Sequence, residues 1–207
     1  MLERSLPGAQ VRIALRSPAG GLGLTQVHGE QILRRHQGEN LTPEADGHWT
    51  SACHLPLYVR TADCLPVLIA LPGQAVAALH AGWRGVDLRI VNQLYQQWDD
   101  AGFVLEDAHW VVGPHICSNC FAMRKPELDA FLDGAHRQKS VKASDAGYLV
   151  NLLDVLLDDL RASGWPVPRY VDRVGGCTFH DSRWPGYRRS GGTTQRIFSS
   201  IELLPGS

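Results

Sequence analysis

The chain has no apolar run long enough to cross a bilayer, so its sequence offers no membrane-spanning helix. It also has no block of basic or acidic residues. With a net charge of −1, it lacks the electrostatic footprint that nucleic acid or an anionic membrane surface would require. Met1-Leu2-Glu3-Arg4 does not open a signal peptide. The five cysteines are an odd number, which fits thiols in a reducing cytoplasm better than a disulfide framework. No internal repeat or low-complexity segment is present. What remains is a hydrophobic content of 44% over 207 residues, enough for one domain with a substantial core. The expected location is the cytoplasm; the sequence leaves the oligomeric state open.

The most informative stretch runs from Val59 to Gly85. Leu65 to Leu71 and Ala75 to His80 are short apolar runs, separated by Pro72-Gly73 with turn chemistry. This pattern predicts an antiparallel hairpin closed by a Pro-Gly turn, with Cys64 and His80 within one register step of each other. A thiolate and an imidazole held on rigid strands are suited to a metal. After His80, Ala81-Gly82-Trp83-Arg84-Gly85 is a glycine-punctuated turn, and Val86, Ile90, Val91, Leu94 and Trp98 lie on one helical face. The expected helix, Val86 to Asp100, would present its N-terminus after Gly85 as an anion site, with Arg84 adding positive charge.

Elsewhere the pattern predicts strands at Gln10–Arg16, Leu24–Leu33, Ala52–Arg60, Ala108–Val112, Tyr170–Val174 and Thr194–Leu204. Gly29 interrupts the second strand and could re-aim His28 through a bulge. Residues 36–50, with Glu44, Asp46 and His48, read as a polar loop. Helices are expected at Arg124–Gln138 and Gly147–Ser163; in the latter Leu149, Leu152, Leu153, Leu156 and Leu160 form a stripe, and Gly164 follows as the C′ residue. Strands and helices interleave without a βαβ rhythm. The fold class is therefore α+β, a mixed β-sheet sandwich with flanking helices in a single domain.

Three candidate constellations result. His28, Cys64 and His80 form a two-His, one-Cys set with room for a fourth, open position, compatible with zinc and alternatively with copper. Cys53 and His54 are the nearest additional ligands. Alternation places Cys53 on the Leu55-Leu57-Val59 face in the core, so an open position is expected. Asp63 reads as a loop or supporting anchor rather than a base. Cys117-Ser118-Asn119-Cys120 and Cys177-Thr178-Phe179-His180 have the form of a zinc site, but their separation exceeds the usual spacing, so they are read as free thiols near the core rather than joint ligands. Tyr187, Arg188 and Arg189, with Arg196 beyond, form a potential anion clamp. The remaining histidines show no spacing that sets them apart.

Six segments then occur in a recognisable order: Gln26-Val27-His28-Gly29, Arg60 to Leu68 (RTADCLPVL), His80 to Gly85 (HAGWRG), Gly113-Pro114-x-Ile116, Cys177-Thr178 and Tyr187-Arg188-Arg189. On these motifs the chain resembles the laccase-domain family, also called multicopper polyphenol oxidase-like or peptidoglycan editing factor proteins. The resemblance covers about Leu24 to the C-terminus, which divides the chain into a short N-terminal stub, 1–23, and a metal-binding domain, 24–207. It implies metal ligation by His28, Cys64 and His80. It further implies a zinc-dependent purine nucleoside phosphorylase with adenosine deaminase activity, acting on a purine nucleoside and phosphate. Copper-dependent phenol oxidation and peptidoglycan editing are the family's other described roles; a degenerate member that retains a metal without activity is the further alternative. Arg84, Asp63 and Arg188 become the expected catalytic residues. Arg84, Arg188, Arg189, Tyr187 and Gln26 become the expected substrate and phosphate contacts. Three departures from the family pattern stand out: only a short stub precedes Gln26, Phe121-Ala122-Met123 replaces Tyr-Glu-Val, and Gln195-Arg196 replaces Gly-Arg.

Overall fold

The computed structural model describes residues 1–132, 135–145 and 147–205. Strands β1 (Leu2–Leu6), β2 (Ala9–Ala14), β3 (Ile32–Arg34), β4 (Gly47–Thr50), β5 (Leu57–Thr61), β6 (Leu65–Leu71) and β7 (Ala75–Ala81) precede helices α1 (Trp83–Asp87) and α2 (Ile90–Asp100). Then come β8 (His109–Val112), β9 (Ala122–Met123), α3 (Lys125–Phe131), α4 (Ala135–Gln138), β10 (Val141–Ser144) and β11 (Gly147–Val150). The chain ends with α5 (Leu152–Ala162), β12 (Tyr170–Arg173), α6 (Tyr187–Ser190) and β13 (Ile197–Leu203).

A six-stranded mixed sheet, β12-β8-β6-β7-β4-β3, forms the middle of the molecule. Every residue of β6 and β7 is buried, because both faces of these strands are covered. One face, with Leu68, Ala70, Val76, Ala78 and Val111, packs on the four-stranded sheet β1-β2-β13-β5 through Val11, Ile13, Leu57, Val59 and Ile201. The other face, with Val67, Ile69, Leu71, Ala77 and Leu79, packs on α2 and α5 through Leu94, Trp98, Leu153 and Leu156. A small sheet, β10-β11-β9, lies outside these layers. The α+β sandwich with flanking helices is therefore the observed fold.

Several boundaries differ from the expected ones. Residues 1–23 carry not one strand but a β1–β2 hairpin that pairs with β13. Leu24–Leu33 is mostly irregular, with one isolated bridge at Thr25 and β3 only at its end. The polar loop of 36–50 ends in a wholly buried strand, β4, which pairs with β7. The hairpin register is Leu71↔Ala75, so its loop contains three residues rather than two; Gly73 takes the left-handed conformation there, at φ 69°. The expected helix from Val86 breaks in two because Arg89 is left-handed at φ 59°, although Val86, Ile90, Val91, Leu94 and Trp98 are all buried as the spacing implied. Gly147–Val150 pairs with β10 instead of starting a helix, and α5 begins after Asn151, whose side chain caps the Asp154 N–H. Lys125–Phe131 and Ala135–Gln138 are separate helices within the expected Arg124–Gln138. Positions 133 and 134 of that span, and 206–207 of the expected domain 24–207, lie outside the described residues.

Candidate metal centre

One edge of the central sheet collects the chemistry. Cys64 immediately precedes β6, and His80 lies near the end of β7 opposite Pro66. Val67 pairs with Val112, so the loop leaving β8 runs alongside the same edge. His28 reaches it from the segment before β3, in a left-handed conformation at φ 63° that is uncommon outside glycine. His28, Cys64 and His80 each offer a ligand atom, all within 4.8 Å of one another. The His28 and His80 rings meet edge-on, with centroids 4.7 Å apart. His80 is buried, Cys64 is half-buried and His28 is exposed, so the cluster opens to solvent on the His28 side. Among the described residues no fourth His, Cys, Asp or Glu joins it. His54 lies elsewhere, beside Glu202 with Nδ1 3.2 Å from Oε1, and Cys53 packs partly buried against the inter-sheet core.

Asp46, which the sequence places in the polar loop before β4, holds this cluster together. Its carboxylate is fully buried and accepts the backbone N–H groups of Val27 (3.1 Å), His28 (2.9 Å) and Gly29 (2.7 Å). Its Oδ1 also lies 2.7 Å from His80 Nδ1, which assigns the proton to Nδ1 and leaves Nε2 free as a ligand. Burial alone would lower the His80 pKa, but hydrogen bonds with Asp46 and then Cys64 outweigh it and raise it to about 9. Burial likewise opposes ionisation of Cys64, yet hydrogen bonds with His28 and then His80 bring its thiol down to about 6. The sulfur is thus ready to be the anionic ligand of a cation, which would displace the imidazole proton.

Gly82 tests whether the cradle has room. A Cβ there would lie 3.1 Å from His28 Cδ2, 3.2 Å from Cys64 Sγ and 3.8 Å from His80 Nε2. Glycine therefore leaves space directly over the three donors. Soft and borderline donors, one negative charge, an oriented histidine and an open face fit zinc or copper.

The other expected residues fall into two groups. Arg84 is exposed, with its guanidinium 4.4 Å over the Trp83 ring, two residues beyond Gly82. Asp63, at φ 92°, accepts the Thr178 hydroxyl on Oδ1 (2.5 Å) and the Arg188 N–H on Oδ2 (2.6 Å), so it anchors two loops beside Cys64. The Arg188 side chain is exposed, donating to Ala122 O (3.1 Å) and lying over Phe121. Tyr187 is exposed as well. Arg189, in contrast, turns into its own loop and donates to the carbonyls of Thr178, Asp181 (3.1 Å) and Trp184 (2.7 Å). Gln26 pairs with both backbone polar groups of Arg60, each at 2.8 Å. Arg196 donates to the carbonyls of Thr193 and Gln195. Arg189, Gln26 and Arg196 thus have their polar groups engaged by the fold. The helical anion site expected after Gly85 is absent, because α1 starts at Trp83 and Gly85 lies inside its five residues.

The largest correction concerns the second cysteine set. Cys117, Cys120, Cys177 and His180 were expected not to share a metal, yet their ligand atoms also lie within 4.8 Å of one another. Sequence separation misled because β8 and β12 are parallel neighbours. Loops leaving their C-terminal ends emerge side by side, however many residues lie between them, and a parallel bridge from His115 to Cys177 continues the pairing.

A family model described as multi-copper polyphenol oxidoreductase laccase matches residues 9–204. The chain belongs to that family. It is 31% identical over 187 residues to a Pseudomonas aeruginosa protein named purine nucleoside phosphorylase PA4543, covering 87% of this chain and 73% of that one. A Rickettsia conorii protein named purine nucleoside phosphorylase RC0672 is 36% identical over 110 residues, a match spanning 53% of this chain but only 45% of the relative. Among solved structures, the hypothetical protein YfiH of Bacillus licheniformis superposes with a TM-score of 0.80 at 25% identity, covering 91% of this chain and 76% of that one. NMB0706 of Neisseria meningitidis gives 0.75 at 28% identity, covering 89% and 75%.

Proposed function

We propose that the chain is a zinc-dependent purine nucleoside phosphorylase of the cytoplasm, with His28, Cys64 and His80 as the zinc ligands. The observation that carries this reading is the open cradle over Gly82, where His28, Cys64 and His80 converge with His28 exposed, while Arg84 follows two residues after Gly82, and Asp63, next to Cys64, accepts the Arg188 N–H. The names of the Pseudomonas and Rickettsia relatives support the substrate class. Zinc, when bound, supplies a Lewis-acid charge at an open position.

This chain's own residues supply the rest. Asp46 keeps the His80 proton on Nδ1 and fixes the His28 backbone, so both imidazoles keep their aim without further ordering. Asp63 is an anchor rather than a base, since both carboxylate oxygens already accept hydrogen bonds. Arg84, two residues beyond Gly82, and Arg188, whose N–H is held by Asp63 next to Cys64, are exposed and would hold phosphate and stabilise charge developing on it. Phosphate held there would displace the purine at the sugar's anomeric carbon and yield the sugar phosphate and free base. Arg189 and Gln26 would act by holding the surrounding loops.

The test is phosphate-dependent release of free base from inosine or adenosine by zinc-loaded protein, with Cys64→Ala abolishing both turnover and the metal bound at that centre. Turnover persisting in metal-free Cys64→Ala, or none in zinc-loaded wild type, would overturn the reading. Inosine accumulating from adenosine without phosphate would assign deamination to the same centre. The donor set also fits copper. A native protein holding copper, with visible thiolate-to-copper absorbance and phenol oxidation, would replace zinc phosphorolysis with the oxidase reading.

A further inference from the structure

We propose that Cys117, Cys120, Cys177 and His180 hold a second, purely structural zinc ion that clamps the loop after β8 to the loop after β12. This site is separate from the His28, Cys64 and His80 centre, and its argument does not rest on the phosphorylase reading.

The four ligand atoms lie within 4.8 Å of one another, close enough to surround one tetrahedral ion. Zinc–sulfur bonds of about 2.3 Å place two tetrahedral ligand sulfurs about 3.8 Å apart. Here Cys117 Sγ and Cys120 Sγ are 3.6 Å apart, and Cys120 Sγ lies 3.0 Å from His180 Nε2. Each pair of ligands sits on a tight turn of its own. The N–H groups of Cys120 and Phe121 both donate to Cys117 O at 2.9 Å. Those of His180 and Asp181 donate to Cys177 O at 3.1 Å and 2.9 Å. The two turns repeat one design, with ligands three residues apart on a backbone knuckle. The Cys117 N–H also donates to Cys177 Sγ at 3.2 Å, tying one knuckle to the sulfur of the other. Four protein ligands complete the tetrahedron and leave no open position, which marks a structural ion rather than a catalytic one. Three thiols and an imidazole select zinc over harder cations.

The clamp bears directly on the first centre. Ile116, next to Cys117, donates its N–H to Asp63 O at 2.9 Å, and Thr178, next to Cys177, donates its hydroxyl to Asp63 Oδ1. Both arms of the Cys3His cluster therefore grip the residue preceding Cys64. Asp63 in turn fixes the backbone of Arg188. The second ion would thus act on the first site at a distance, by setting Asp63.

The experiment uses the full chain purified from zinc-supplemented cells without chelator. Wild type is expected to hold about two zinc equivalents, Cys64→Ala about one, and His180→Ala about one. Zinc-edge X-ray absorption on Cys64→Ala should show three sulfur ligands at about 2.3 Å and one nitrogen at about 2.0–2.1 Å. That spectrum needs no change in the cluster, so a His180→Ala protein that fails to fold leaves the proposal testable. Thermal unfolding of Cys64→Ala should move to lower temperature when its remaining zinc is stripped. Cys64→Ala protein that holds no zinc while Cys117, Cys120 and Cys177 titrate as three free thiols would overturn the proposal. So would a Cys117–Cys120 disulfide in freshly purified protein, or iron in place of zinc.

Discussion

The Asp46 carboxylate lies 2.7 Å from His80 Nδ1 while also accepting the His28 N–H, so one buried side chain positions two of the three donors in the candidate centre. Loss of such a supporting carboxylate costs metal sites about 10–100-fold in affinity. Asp46→Asn is expected to weaken metal binding by about that factor, because an amide can still satisfy some partners but no longer carries the charge that favours the Nδ1 proton. A competing-chelator titration, read on the metal that Cys64→Ala removes, checks this. Unchanged affinity would show that His80 is oriented by its strand alone.

Gly82→Ala tests the cradle. At φ −67° and ψ 166° the backbone of Gly82 suits any residue, so alanine adds no strain of its own. Its methyl group would press on Cys64 Sγ from 3.2 Å, where a ligated metal must sit. The expected result is loss of the metal at His28, Cys64 and His80 with little change in thermal stability. Metal content equal to wild type would mean that the donors converge from the other side.

Much of this was legible in the sequence, for reasons that individual residues make clear. Two short apolar runs and the Pro-Gly turn between them located β6 and β7, and the helical spacing of Val86 to Trp98 survived the break at Arg89 because burial follows side-chain direction rather than helix continuity. His28, Cys64 and His80 were legible as one set because Cys64 and His80 flank the open end of the β6–β7 hairpin. Asp46 was missed because its role depends on partners at Val27 to Gly29 and at His80, separated by up to 34 residues. The Cys3His cluster was misjudged because local spacing cannot reveal a parallel strand pair such as β8 and β12. Arg189 looked like a free cation until its loop carbonyls were seen to face it.

His48 makes a prediction about acid. It is fully buried in β4, and burial, then the nearby Arg35 cation, push its pKa down from 6.5 to about 3. The unfolded chain therefore binds a proton near pH 6.5 that the folded chain refuses until about pH 3, so stability falls as pH drops through that window. At pH 5 this one residue should have removed about 2 kcal/mol relative to neutral pH. Urea melts at pH 7 and pH 5 should show that loss in wild type and about 2 kcal/mol less of it in His48→Gln. Equal pH dependence in both would assign the acid sensitivity to carboxylates alone.

A buried ion network makes a larger prediction about stability. The Arg137 guanidinium is bidentate to Asp159, at 3.0 Å and 2.8 Å, and also reaches Asp87 Oδ1 at 2.9 Å, joining α4, α5 and α1. Both Arg137 and Asp159 are buried, so removing Asp159 leaves the Arg137 cation with Asp87 as its one remaining carboxylate in this network. Asp159→Ala should destabilise the fold by about 3–5 kcal/mol. Chemical denaturation checks it, and a cost under about 1 kcal/mol would mean that Asp87 alone neutralises the Arg137 cation.

The three arginines near the centre should separate by function. Arg84 is exposed two residues beyond Gly82, and Arg188 is exposed with its N–H on Asp63 and one side-chain hydrogen bond to the Ala122 carbonyl, whereas Arg189 donates to three carbonyls within its own loop. A hydrogen bond to a charged group contributes about 1.5–3 kcal/mol, which corresponds to roughly ten- to a hundredfold in binding. Arg84→Ala and Arg188→Ala should each raise the KM for phosphate by about that factor, with zinc content unchanged and the nucleoside KM nearly so. Arg189→Ala should behave differently: it removes partners from the carbonyls of Thr178 and Trp184 and loosens the loop that holds Arg188, so thermal stability falls and turnover falls with it. Steady-state kinetics in both substrates, with metal analysis and melting curves on the same preparations, distinguish these outcomes. Arg84→Ala that sheds zinc would make Arg84 a structural support for the HAGWRG turn. Arg189→Ala that melts like wild type but raises the phosphate KM would return Arg189 to the anion clamp.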